Sequence, residues 1–197
     1  RLPGDLRPYR PNTVPDAPLS QLEDRLRRRL AGLGLLETRS IPMVRDGAGT
    51  VPLEKPLSAE EGVLRSTLAH GLLRAVELNH ARGVRDVRLF EIGTTFHPTG
   101  AGELPREETR IGVVVTGRRR PEHWSGESGD WDVWDARGLL EDLARDLGLG
   151  AGAVAPLEGD AGRLAIQGTY RPGTLLALRS ADAVVGVAGE VASGALD

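Results

Sequence analysis

The chain has 197 residues, enough to bury a core without a disulfide or metal staple. It has no cysteine, which excludes a disulfide scaffold, a thiolate zinc site and a cysteine nucleophile and suits a reducing, cytoplasmic setting. A net charge of −3 and an aromatic content of 4% argue against a dedicated nucleic-acid surface, and no apolar run approaches a membrane span.

Residues 1–18 carry five prolines and read as an extended arm or linker. Residues 19–197 read as one core, and the opening Arg1 suggests a fragment of a longer chain. Ser20 and Glu23 form an S-x-x-E capping pattern. Leu19, Leu22, Leu26, Leu30 and Leu33 follow at helical steps, with Gly32 and Gly34 as the stop. Glu37 to Val44 reads as a strand bent at Pro42, and residues 45–52 as a glycine-rich loop.

A second capping pattern, Ser58 and Glu61, precedes Leu64, Leu68, Leu72 and Val76, which predict a helix running to about Arg82. Val87–Ile92 reads as a strand, Thr94–His97 as a second extended piece after Gly93, and Ile111–Thr116 as a β-branched strand. Residues 117–134 form a polar loop. Asp135 is placed to cap a helix faced by Leu139, Leu140, Leu143 and Leu147. Short strands at Arg163–Gln167, Thr174–Arg179 and Val184–Val191 close the chain. The order predicts an α+β fold, an antiparallel sheet with helices on one side.

No catalytic constellation emerges from these residues. The four histidines have no metal-ligand spacing, so no metal site is predicted. Gly148-x-Gly150-x-Gly152 follows a helix rather than joining a strand to one, which fails the dinucleotide pattern. Arg25, Arg27, Arg28 and Arg29 form either a solvated face or an ion-paired or phosphate-binding surface. Arg118, Arg119 and Arg120 are candidate RNA contacts, diluted by Glu122, Glu127 and Asp130. Glu107 and Glu108 read as solvation of a hairpin, because neighbouring strand residues face opposite ways.

An ordered set of short motifs says more. Lys55-Pro-Leu-Ser58, Val63–Leu68, Gly71–Leu73 and Asn79 resemble a run of the bacterial phenylalanyl-tRNA synthetase β subunit family. Leu89-Phe-Glu-Ile-Gly-Thr-Thr-Phe96 is similar to the strand pair that follows in that family. Asp132-Val-Trp-Asp135 with Gly138 resembles its next helix start, and Val185-Gly186 with Gly189-Glu190 its late glycine element. Lys55 stands where the family has Asn, and Val191-Ala192 where it has His-Pro.

The resemblance implies the class II synthetase-like, non-catalytic core of the β subunit. It implies an α2β2 partner arrangement with the catalytic α subunit, charging tRNA with phenylalanine, with ATP and magnesium as cofactors of the intact enzyme and none in this piece. An active class II site needs an arginine on its motif 2 strand and another at its motif 3 helix. His97 and Val191 take those places here, and Arg110 and Arg163 would both have to reach in to replace them. No catalytic residue is therefore expected. Leu22, Arg25, Leu26, Arg28 and Arg29 on the motif-1-like helix are the expected subunit interface, together with the strand Glu37–Val44. The alternative is a free-standing RNA-binding or small-molecule-sensing paralogue.

Overall fold

The computed structural model describes residues 15–56, 58, 60–100, 102–121, 123–126, 129–150, 152–157 and 169–192. The first fourteen residues of the expected arm and the expected strand 163–167 lie outside them. In chain order the elements are α1 (Pro18–Gly32), β1 (Leu36–Glu37), β2 (Met43–Val44), β3 (Gly49–Pro52), β4 (Val63–Arg65) and α2 (Ala69–Ala81). There follow β5 (Val87–His97), β6 (Arg106–Thr116), α3 (Val133–Asp146), β7 (Val154–Pro156), β8 (Leu176–Ser180) and β9 (Ala183–Ala188).

The helix starts differ from the sequence expectation, each for a local reason. α1 begins two residues earlier than the Ser20 cap, because Pro18 at its first turn has φ already set for a helix. Its cap residue, Ala17, contributes no side-chain bond. Ser58 and Glu61 cap no helix. Residues 63–65 form β4 instead, and α2 starts only at Ala69, whose amide donates to Thr67 Oγ1 at 3.2 Å. α3 is capped by Asp132 rather than Asp135. Asp132 accepts from the amides of Trp134 and Asp135, and Asp135 reaches back to the Asp132 amide at 3.0 Å.

Pro42 does more than bend one strand. The expected strand Glu37–Val44 splits into β1 and β2, which belong to different sheets. β1 lies parallel to β5, while β5 and β6 pair antiparallel over eleven residues each, from Val87 opposite Thr116 to His97 opposite Arg106. Gly93 therefore interrupts nothing. A second sheet has the order β2-β4-β3, and a third β7-β8-β9.

Alternation along β5 and β6 gives the main sheet two working faces. On one, Phe90 and Ile92 sit opposite Val113 and Ile111 and are covered by Leu26 and Leu30 of α1 and by Leu139 and Leu143 of α3. On the other lie Glu91, Gly93 and Gly112 under α2. A Cβ on Gly112 would stand 2.6 Å from Leu72 Cδ1, so glycine lets the helix approach. Helices thus flank both faces, not one. α3 serves two cores, because Leu140 and Ala144 also pack on Val154, Leu176 and Leu178 of the third sheet.

Candidate functional site

β6 is an outer strand of the main sheet and β9 an outer strand of the third. Between them runs a cleft of about 680 Å3. Consecutive residues Thr109–Thr116 and Val185–Val191 line it. A strand shows successive residues to one space only along its backbone edge, so two strand edges face each other across the cleft. Leu68 just before α2, Leu72 of α2 and Leu22 of α1 supply apolar walls. Arg110 spans the gap, its Nη1 donating to the Val185 carbonyl at 3.4 Å.

At one end sits His97, 5% exposed. Its Nε2 lies 3.2 Å from Thr95 Oγ1 and 3.5 Å from Glu108 Oε2. Glu108 also pairs with Arg106 at 2.6 Å and, very closely, with Arg110. Burial pushes the Glu108 carboxyl up, but the Arg110 hydrogen bond and the surrounding positive charge outweigh it and hold the group below the ordinary glutamate range. Glu107 and Glu108 do face opposite ways. Glu108, however, is the hub of an ionic cluster rather than hairpin solvation.

Val191, at the other place that the sequence marks for an arginine, is bridged to Tyr170. Burial raises the Tyr170 phenol above its ordinary value. Of the described residues lining the cleft, Arg110 is the single arginine. Among the described residues no group of three or more metal-ligating side chains converges.

The arginine ridge of α1 is engaged within the chain. Arg25 Nη2 donates to the Asp146 carbonyl at 2.9 Å, and Arg29 pairs with Asp142 at 3.1 Å and Asp146 at 3.7 Å. Both contacts tie α1 to the end of α3. Arg27 bridges Asp24 and Glu37, and Arg28 Nε donates to the Asp24 carbonyl. Leu26 is buried at 2% exposure and Leu22 packs against the same core. The apolar groups this region leaves outside are Leu19, Leu33, Leu36 and Ile41, the last two at 68% and 62% exposure.

In the polar loop, Arg118 Nε lies 3.3 Å from Asp86, whose carboxyl the Arg118 amide and guanidinium hold below its ordinary range. Arg119 pairs with Asp135 at 3.4 Å. Arg120 is exposed, and Trp124, 91% exposed, tilts against His123 with ring centroids 5.3 Å apart. The loop is less basic in space than in sequence.

Sequence reasoning passed over a buried ion pair beneath α2. Arg65 Nη1 meets Glu91 Oε1 at 2.8 Å, with side chains 6% and 1% exposed. The available signal was a lone carboxylate, Glu91, between Phe90 and Ile92 in an apolar strand.

Residues 3–197 match the family described as "Phenylalanyl tRNA synthetase beta chain CLM domain". The chain is 33% identical over 141 residues to the phenylalanine–tRNA ligase β subunit of Syntrophus aciditrophicus, covering 65% of this chain and 18% of that one. It is 36% identical over 136 residues to the β subunit of Bacillus thuringiensis, with 64% and 17% covered. With that of Geobacillus kaustophilus it shares 32% identity over 158 residues, with 76% and 18% covered. The chain thus spans less than a fifth of the length of these relatives. Among solved structures, a pyrrolysyl-tRNA synthetase of Desulfitobacterium hafniense superposes with a TM-score of 0.55 at 18% identity, covering 84% of this chain and 54% of that one. The fold is that of a class II aminoacyl-tRNA synthetase core.

Proposed function

The chain belongs to the family of phenylalanyl-tRNA synthetase β chain CLM domains, and on that premise we propose that it is a non-catalytic core that docks the catalytic α subunit. The parent enzyme would be an α2β2 tetramer in the cytoplasm that charges tRNA with phenylalanine. The observation that carries the reading is the near-complete match of the chain to this family, together with a cleft whose described lining holds Arg110 as its single arginine.

ATP and magnesium, implied for the intact enzyme, do not fit this cleft. A triphosphate asks for several cations placed around it. His97 is buried against Thr95 and Glu108, Val191 carries no charge, and Arg110 is committed to Glu108 and the Val185 carbonyl. The nucleotide therefore belongs to the α subunit.

For docking, the helix-and-strand region from α1 to β2 is the proposed surface. Arg28 remains a candidate contact, beside exposed Leu33, Leu36 and Ile41. Leu22, Arg25, Leu26 and Arg29 would act indirectly, by holding α1 against the sheet and α3. Nothing in the comparisons favours a free-standing RNA-binding or sensing paralogue, and the ion pairs of Arg118 and Arg119 weaken the RNA contact proposed for residues 118–120. Coexpression with the α subunit tests docking. An Ile41→Asp, Leu36→Asp variant should lose copurification while keeping its own fold. Full recovery of the complex would contradict the reading.

A further inference from the structure

We propose that Ser40, Arg65 and Glu91 form a conformational lock that holds the segment between β1 and β2 in one shape, and that these groups serve specificity rather than stability. The segment crosses from the main sheet to the second sheet. Backbone bonds hold its ends, with the Thr38 amide donating to Phe90 O at 2.8 Å and the Arg65 amide to Pro42 O at 2.9 Å. Between them, the Ser40 hydroxyl donates to Glu91 Oε2 at 2.6 Å, and the Ser40 amide to Glu91 Oε1 at 3.3 Å. Arg65 Nη1 donates to Ser40 Oγ at 2.8 Å and to Glu91 Oε1 at 2.8 Å, while its Nε donates to Thr94 O at 2.9 Å.

Two glycines make room for the cluster. A Cβ on Gly71 would stand 2.4 Å from Ser40 Oγ, and one on Gly93 would stand 2.5 Å from Arg65 Nη2. Four separate segments therefore converge on one set of polar atoms.

Taking both charges out of water costs roughly what their attraction returns, so an apolar pair of similar volume would hold the same space about as firmly. What an apolar pair lacks is direction. Oxygens and N–H groups at fixed angles admit one placement of Ser40, and a methyl surface admits several. The neighbour of Ser40 in the segment is the exposed Ile41. That a partner subunit reads Ile41 rests on the function proposed above; that the segment is locked does not.

Hydrogen exchange and thermal unfolding of the 197-residue chain alone test the lock without the α subunit. Ser40→Ala keeps the ion pair and should speed exchange of the hydrogen-bonded amides of residues 38, 40 and 65 by about tenfold or more. Exchange in β5 and β6 should stay as in the parent. The double variant R65M/E91M should speed the same amides while its Tm stays within about 3 °C of the parent. Unchanged exchange in Ser40→Ala would overturn the lock. A double variant that fails to fold, or that melts as early as R65M alone, would show that the pair serves stability and would overturn the specificity claim.

Discussion

Two charged clusters are each built around a carboxylate of the β5–β6 hairpin and behave as opposites. One, Arg65 with Glu91 and Ser40, is sealed beneath α2, with both charged side chains at 6% exposure or less. The other, Glu108 with His97, Arg106 and Arg110, opens on the cleft, where the Glu108 side chain is 21% exposed and those of the arginines 56% and 34%. Both contain a carboxylate and a guanidinium at contact distance. The difference is water. In the sealed cluster a lost partner leaves a charge with nothing to solvate it; in the open one, solvent takes the partner's place. Removing a single charge should therefore cost stability in the first cluster and little in the second.

The sharpest way to break the comparison is to remove one sealed charge. Arg65→Met strands Glu91 and should cost about 3–5 kcal/mol in denaturant unfolding. A loss of less than about 1 kcal/mol would put the two clusters on the same footing. Gly93→Ala drives a methyl group toward Nη2 of Arg65, whose guanidinium is held in place by the bonds of Nε and Nη1, and should cost about 1–3 kcal/mol by the same assay.

The open cluster should give about 1 kcal/mol or less on Glu108→Gln at pH 7. Its effect should also depend on pH. The Glu108 carboxyl is held below its ordinary value when folded, so the unfolded chain takes up that proton first. The stabilisation is complete above the ordinary glutamate pKa of about 4.3 and is lost as pH falls through the folded value. Melting curves of parent and Glu108→Gln should therefore converge in acid. The smallest effect belongs to the α1–α3 bridge. Arg29 is 44% exposed in its side chain, and Arg29→Ala should change stability by about 0.2–1 kcal/mol, less at high salt.

Apolar periodicity placed much of the fold correctly, because it reports which face a helix or strand buries. Leu26, Leu30, Leu72, Val76, Phe90 and Ile92 are all buried in the core of the structure. Capping patterns located helix starts poorly, since Ser20 competes with Pro18 and Ser58 with a strand that takes residues 63–65. The side on which helices lie was not legible, because Gly112, the glycine that admits α2, carries no side-chain signal in a linear reading. The hydrogen bond of Arg25 and the ion pairs of Arg29, Arg118 and Arg119 were hidden for a different reason. Arg25 and Arg29 find partners on α3, more than a hundred residues away, and local charge runs carry no record of partners that distant. The family itself was legible only as an ordered set of motifs, among them Phe90-Glu91-Ile92-Gly93, whose carboxylate and glycine belong to the sealed cluster.

The central claim is that this core docks but does not catalyse. Pyrophosphate exchange by the purified chain, with phenylalanine, ATP and magnesium and without the α subunit, tests it most directly. The account predicts exchange at background at every protein concentration, because the clamp positions implied by the family resemblance hold His97 and Val191 and Arg110 is tied to Glu108. Exchange that rises with the amount of chain and disappears in Arg110→Ala would contradict it.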